Sequence, residues 1–329
     1  MNKKFCVIIL YFILFITYMF SQTFYFYLPW DDYSQNVVDL SFLNHKPAGQ
    51  YGFVTVGNDG HFYIGSERIK FLGVNFTAAS CFPQKTQAEV IARRLAKFGI
   101  NVVRLHFLDN MWGFYIFGYP GTYNNTRSFN SEALDRLDYF IAKLKENGIY
   151  VNINLLVGRN FMPGDGLPSS INNLDWKQKQ VPAMFYQTMI DLQKEYATNL
   201  LTRLNPYTNT YYNNEPAIAF VEIVNEQGLV HGWLDGTIDI LPQEFSEDLR
   251  VKWNNWLVDK YQTHQNLLSS GWAIDEPLGP EILRNTDFSQ GFQYWGQEVH
   301  DVAKASFSIV NGGGYGGSNA VKIVIENTS

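Results

Sequence analysis

Two stretches, KFGINVVRL (97–105) and KENGIYVNINL (145–155), decide the fold. Each passes from a basic or polar helix end through Gly and Ile into a β-rich run. A glycine suits the left-handed turn that ends a helix. The near-continuous apolar run that follows suits a strand covered on both faces. Upstream of the first joint, TQAEVIARRLAKFG (86–99) places Ile91, Leu95 and Phe98 at helical spacing, with Gly99 as the exit. Between the joints, SEALDRLDYFIAKLKENG (131–148) puts Leu134, Leu137, Ile141 and Leu144 on one face. Ser131 is placed to cap its start and Gly148 its end. A third helix is expected over 183–204, and strands over 69–76, 100–107, 149–157 and 217–226. Four successive βα units predict a parallel sheet with helices outside it. A doubly wound nucleotide-binding sheet would need a Gly-rich phosphate loop after its first strand, and GVNFTAASCFP (73–83) offers only Gly73. The expected class is therefore α/β, a (β/α)8 TIM barrel of which roughly four units are visible.

The loops agree with that orientation. LDNMWGFYIFGYPGTYNNTRSFN (108–130) follows the second strand, and GRNFMPGDGLPSSINNLDWKQKQVP (158–182) follows the third. Loops of this length are uncommon without function, and in a barrel both fall at the C-terminal strand ends where active sites are built. Residues 22–66 read as a small β element ahead of the barrel, with VGNDG as a turn, and the barrel portion as 67–275. From 241 to 272 the pattern is helical, with Trp253, Trp256 and Leu257 as an apolar stripe expected to pack in a core. After 275–281 it changes to short alternating strands and Gly-rich turns, the start of an all-β jelly-roll or sandwich module over 281–329.

Composition narrows the function. Hydrophobic residues make up 46% and charged residues 17% of the 329, enough apolar surface for a large core. Net charge is −6 with no Lys/Arg stripe, which argues against a nucleic-acid partner. Six scattered His residues without paired spacing give no metal-ligand cluster, and no cofactor is expected. MNKK followed by an apolar run over 5–20 and a small residue, Ser21, has the form of a secretory signal over 1–21. The chain is thus expected to be secreted, periplasmic or at the cell surface, with no membrane partner after cleavage. Cys6 lies in that signal, which leaves Cys81 as a lone thiol expected to pack rather than react.

The chemistry centres on EIVNEQG (222–228). Residues alternate in facing along a strand, so Glu222, Val224 and Glu226 share a face, with Glu226 at the C-terminal rim. Hydrolysis of a glycoside needs two carboxyl groups, about 5–5.5 Å apart in retaining enzymes and about 6.5–9.5 Å apart in inverting ones. Glu222 stands about 13 Å deeper along the strand than Glu226. It is better read as a buried polar or ion-paired residue, partnered by an Arg or Asn of a neighbouring strand. Arg104 and His106 share a face of the second strand, Asp109 and Asn110 follow it, and Asn152 and Asn154 alternate in the third. Singly, His106 reads as a hydrogen-bonded core histidine and Arg104 as a structural ion pair. Together with an Asn-Glu strand end they make a shared site, in which a poorly solvated Glu226 could hold a proton. Trp112, Tyr115 and Trp233 are candidate sugar platforms.

FLGVNF, NVVRLHF and above all EIVNEQG resemble the clan A glycoside hydrolases, especially family 5, of cellulase and mannanase type. The resemblance spans roughly 71–226. It implies a (β/α)8 barrel that cleaves β-glycosidic bonds with retention. It also implies Glu226 as general acid/base, Asn225 at the sugar 2-hydroxyl and Arg104 beside the nucleophile. The partner would be a β-linked glycan or oligosaccharide. WNNWLVDKYQTHQNLLSSGW (253–272) is similar to a helical segment of family 42 β-galactosidases, and NTDFSQGFQYW with SNAVKIVIEN to a family 4/9 carbohydrate-binding module. Two departures stand out. The third strand ends in NINLLVG, where family 5 enzymes often carry His. The family's nucleophile, a Glu after the seventh strand, has no counterpart here, so the sequence reads as an N-terminal piece, inactive alone. A non-catalytic carbohydrate-binding or surface protein on a barrel scaffold is the rival reading.

Overall fold

The computed structural model describes residues 29–117, 124–272, 282–300 and 302–327. The signal segment with Cys6 and the boundary placed at 275–281 lie outside these residues. The chain divides into two compact units, 1–254 and 255–329.

The first unit begins with a three-stranded antiparallel sheet, β1 (Val54–Val56), β2 (Phe62–Ile64) and β3 (Glu67–Arg68). Four parallel strands follow in sequence order: β4 (Gly73–Thr77), β5 (Val102–His106), β6 (Tyr150–Leu156) and β9 (Ile218–Val224). Their registers align Asn75 with Arg104 and Asn152, and Asn154 with Glu222. Helices α1 (Lys85–Lys97), α2 (Ser131–Glu146) and α3 (Gln187–Leu201) lie in the crossovers, and the short pair β7 (Leu204–Asn205) and β8 (Thr210–Tyr211) precedes β9. Gly99 and Gly148 both take positive φ, at 73° and 75°, as the two helix-to-strand joints require.

One face of this sheet is apolar and one polar. Val103 and Leu105 of β5 and Val151, Ile153 and Leu155 of β6 are buried in a core with Leu137, Phe140, Ile141 and Leu144 of α2. Helix α1 contributes Ala88, Ala92 and Ala96 to it. The larger Ile91 and Leu95 only flank this core, and Phe98 is 40% exposed. The expected Ile/Leu/Phe stripe is therefore replaced by alanines, whose small side chains let the helix axis approach its neighbours. Asn130, not Ser131, caps α2: its side chain accepts from the amides of Glu132 and Ala133. Ile153 is fully buried on the central strand, so Ile153→Val should cost about 0.5–1.5 kcal/mol. The check is a lower urea midpoint at unchanged slope.

The small β element closes the N-terminal end of the parallel sheet. Ile64 and Ile69 bury against Tyr150 and Ala217, and Phe62 and Phe71 meet Phe220 edge-on at 5.2 Å each. On β9, Val221 (43%) and Ile223 (74%) are exposed on the side where the inner strands carry helices. After β9 come α4 (Leu229–Leu234) and α5 (Gln243–Tyr261). Trp253 and Trp256 of α5 are 47% and 44% exposed, so the core stripe expected of them does not form. A long helix with a polar composition exposes even its bulky residues unless another element covers them.

In the second unit, β10 (Lys304–Val310) pairs antiparallel with β11 (Ala320–Asn327), with a bulge at Lys304/Ala305. Upstream, the Asn285 side chain donates to the carbonyls of Gly291 and Gln293 and accepts from the Gln290 amide, which organises a turn.

Candidate active site

The polar face of the parallel sheet carries the site. Arg104 reaches across β6 and grips Glu222 on β9 with two parallel bonds, Nε to Oε2 at 2.8 Å and Nη2 to Oε1 at 2.6 Å. Nη2 also donates to Asn225 Oδ1 at 2.8 Å. Of the two readings of Glu222, buried polar or ion-paired, the ion pair is the one observed, and its partner Arg104 comes from β5, one strand beyond the neighbouring β6. The Arg104 hydrogen bonds hold the Glu222 carboxyl below its ordinary range against the opposing pull of burial, with Asn154 and Asn152 adding smaller contributions. Asn152 Nδ2 lies 3.5 Å from Glu222 Oε2. Reciprocally, Glu222 and more weakly Glu226 keep Arg104 charged. Beside this pair, His106 Nδ1 is hydrogen-bonded to Asn154 Oδ1, and Asn154 is fully buried.

Glu226 sits just beyond the end of β9, exposed and with φ of 47°. That setting differs from the poorly solvated one expected from sequence. Left-handed backbone is costly for a side-chain-bearing residue and persists where its surroundings impose it. Here the Asn225 amide donates to Leu156 O at 3.0 Å, Gln227 Nε2 to Val157 O at 3.3 Å, and Lys177 Nζ to Glu226 O at 3.3 Å. Two other strand ends carry the same feature, Ala78 after β4 (φ 52°) and Phe107 after β5 (φ 58°). Three non-glycine residues in this conformation gather at one end of the sheet, the end where parallel sheets bind ligands.

Of the other sequence candidates, Asp109 is not at the open rim. It is 1% exposed, and its carboxylate accepts from the amides of Val157 and Gly158 at 2.9 and 3.0 Å. It ties the second-strand exit to the third, and burial pushes its carboxyl up. Asn110 is also buried and accepts from the Trp112 amide. Gly158 makes this crossing possible, because a Cβ there would lie 2.6 Å from Asn110 Nδ2 and 2.9 Å from the Phe107 ring. Tyr115 is 1% exposed and packs in the core beside Phe117, so it is no platform. The loop that carries it folds back under the rim through Ile116 N to Leu108 O. Cys81 is fully buried and donates to the carbonyls of Phe76 and His106; burial pushes its thiol up, as an inert packing role requires.

Trp112 does stand at the rim, half-exposed. It belongs to an aromatic cluster with Phe107 at 5.2 Å and with Trp176 at 5.2 Å and 83°. Trp176 was not legible in the sequence, since the loop that carries it has no period. Its one signal was an aromatic beside Lys177 in a long strand-end loop. That loop is well anchored: Lys179 is buried with Nζ on Asn160 Oδ1 and Phe161 O, and Arg159 is buried on Thr126 and Leu192 O. Trp233, on α4, is 65% exposed. Among the described residues no group of three His, Cys, Asp or Glu side chains converges as a metal site would.

The protein-family model described as Cellulase (glycosyl hydrolase family 5) matches residues 65–266. Mannan endo-1,4-beta-mannosidase 1 of Arabidopsis thaliana is 27% identical over 188 residues, which cover 54% of this chain and 43% of that protein. Mannan endo-1,4-beta-mannosidase 2 of the same plant is 28% identical over 137 residues, covering 40% and 30%. The chain therefore spans under half the length of these relatives. Among solved structures, the endo-1,4-beta-mannanase from Rhizomucor miehei is 22% identical with a TM-score of 0.44, covering 53% of this chain and 48% of that one.

Proposed function

This chain belongs to glycosyl hydrolase family 5, and from that premise we propose that it serves a secreted enzyme cleaving β-glycosidic bonds of a polysaccharide or oligosaccharide with retention. The observation that carries this reading is the strand end itself: Asn225 and Glu226 at the rim, with Arg104 bonded to Asn225 from the second strand. Glu226 protonates the leaving glycosidic oxygen as a nucleophile attacks the anomeric carbon. It then removes a proton from the water that releases the sugar. The four βα units belong to a (β/α)8-type fold, and 281–329 to a β-sandwich carbohydrate-binding module; the β10–β11 hairpin supports the latter. The basic Lys3-Lys4 pair before an apolar run supports secretion. The matched span runs to residue 266, across most of the segment likened to family 42, so family 5 displaces the β-galactosidase reading. A β-1,4-mannan is the first substrate to try, because both plant relatives are mannan endo-1,4-beta-mannosidases.

The test is hydrolysis of β-mannan and β-glucan oligosaccharides by a form of the protein that carries the nucleophile as well as Glu226, with the first-formed anomer followed by proton NMR. A β-configured product supports retention, an α-configured one overturns it, and no cleavage of any β-glycoside overturns the reading as a whole. Trp176→Ala removes one wall of the aromatic cluster and should raise KM for an oligosaccharide about three- to tenfold, with a smaller change in kcat. An unchanged KM would assign that cluster to loop packing.

A further inference from the structure

The Glu222 carboxylate takes no part in the proposed chemistry, yet it occupies the polar face on which Asn225 and Glu226 depend. We propose that Glu222 is a positioning residue, which by docking the Arg104 guanidinium turns the Asn225 amide so that its Nδ2 faces the sugar 2-hydroxyl. This rests on the reading of the strand end as a glycosidase site.

A guanidinium Nη2 carries two protons. The bidentate pairing with Glu222 commits Nε–H and the Nη2 proton parallel to it. The second Nη2 proton must then point away from the carboxylate, and it meets Asn225 Oδ1 at 2.8 Å. With its oxygen committed, Asn225 has only its NH2 to offer a ligand. Both members of the ion pair are more than two-thirds buried as side chains, and Asn152 closes on Glu222 from the intervening strand. A free arginine has many rotamers, whereas one docked on a carboxylate fork has one. Asn225 is set from its other end as well, by its backbone amide on Leu156 O. The amide is thus presented in one orientation before substrate arrives, which is how a fixed donor favours a transition state over a ground state.

Glu222→Gln in the same nucleophile-bearing form of the protein tests this. A glutamine cannot accept both Arg104 protons, and its own NH2 opposes one of them. Two aryl substrates are compared: a β-glycoside bearing the 2-hydroxyl, and its 2-deoxy counterpart, which is one compound for gluco- and manno-sugars because they differ only at C2. The ratio of the two kcat/KM values should fall about ten- to hundredfold in the variant. Arg104→Lys, which keeps the charge but not the fork, should lower the same ratio. In an Asn225→Ala background, Glu222→Gln should produce no further fall in it. A loss that is equal on both substrates, or that persists undiminished without Asn225, overturns the proposal. Side-chain NMR gives a readout independent of turnover: the Asn225 amide pair should shift and broaden in Glu222→Gln. An unmoved Asn225 signal overturns the positioning role even if the chain cleaves glycosides. A wild-type protein that carries the nucleophile and still cleaves neither substrate instead overturns the glycosidase reading, while the NMR arm still decides whether Glu222 orients Asn225.

Discussion

Glu226→Gln is expected to lower kcat for β-glycoside hydrolysis about 10²- to 10⁴-fold, the range for loss of a general acid/base. Gln keeps the size and the left-handed backbone demand of this position, so folding should be untouched. The loss should depend on the leaving group. An aryl glycoside whose phenolate leaves without protonation should keep most of its first-step rate, whereas an oligosaccharide, whose leaving alkoxide must be protonated, should bear the full effect. Azide, which needs no deprotonation to attack, should restore turnover of the activated substrate as a β-glycosyl azide. Equal losses on both substrates with no azide rescue would remove Glu226 from the acid/base role. Undiminished hydrolysis of both would remove it from the site. Glu222 cannot substitute in that event, because both of its oxygens are held by Arg104.

The sheet was legible because buried parallel strands must be apolar and must be reached through a tight turn, and the two Gly-Ile joints display both demands. The observed strands fall inside the expected runs to within a few residues, apart from β4, where the chain straightens only from Gly73. The pairing of Glu222 was legible for a similar reason: a carboxylate inside the run AIAFVEIV is costly unless a partner crosses to it. What failed were inferences from residue type without position. Tyr115 and Trp112 lie three residues apart in the same loop, and only the fold-back through Leu108 and Ile116 decides that one is buried and the other at the rim. Asp109 looked like a rim acid, but the two amides of Val157 and Gly158 draw it inward. The alanine face of α1 was hidden because Ile91 and Leu95 dominate any count of hydrophobicity, although spacing between helix and sheet favours the smaller residues.

Lys145→Met should destabilise the chain by about 3–5 kcal/mol at neutral pH, the cost of stranding a buried charge. Lys145, in the last turn of α2, donates to both oxygens of Glu215 at 2.8 and 2.9 Å, and the Glu215 side chain is 2% exposed. Glu215 also accepts from the Ala217 amide at 3.0 Å and from the Thr210 hydroxyl, so it fixes the backbone immediately ahead of β9. That strand delivers Asn225 and Glu226. Burial by itself would raise the Glu215 carboxyl, but Lys145, Thr210 and the Ala217 amide outweigh it and the net shift is downward. A carboxyl lowered on folding contributes stability above its unfolded value, and that contribution is lost as pH falls through the lower folded one. In Lys145→Met the burial is no longer opposed by the ammonium, and the carboxyl should rise instead. The variant then gains nothing from ionised Glu215 at neutral pH and has nothing of it to lose in acid. The stability gap between the two chains should therefore be widest near neutrality and narrow as pH drops below the ordinary carboxylate range, about 4.3 for Glu. Urea unfolding at pH 7 and pH 4 measures both gaps, and a gap that does not change with pH would show that the loss does not come from the charge on Glu215. Because methionine keeps the bulk of the lysine stem, a pH-dependent gap isolates the charge. Lost register at the start of β9 should then appear as weakened glycoside turnover, although Lys145 itself lies at the opposite end of the strand from Glu226.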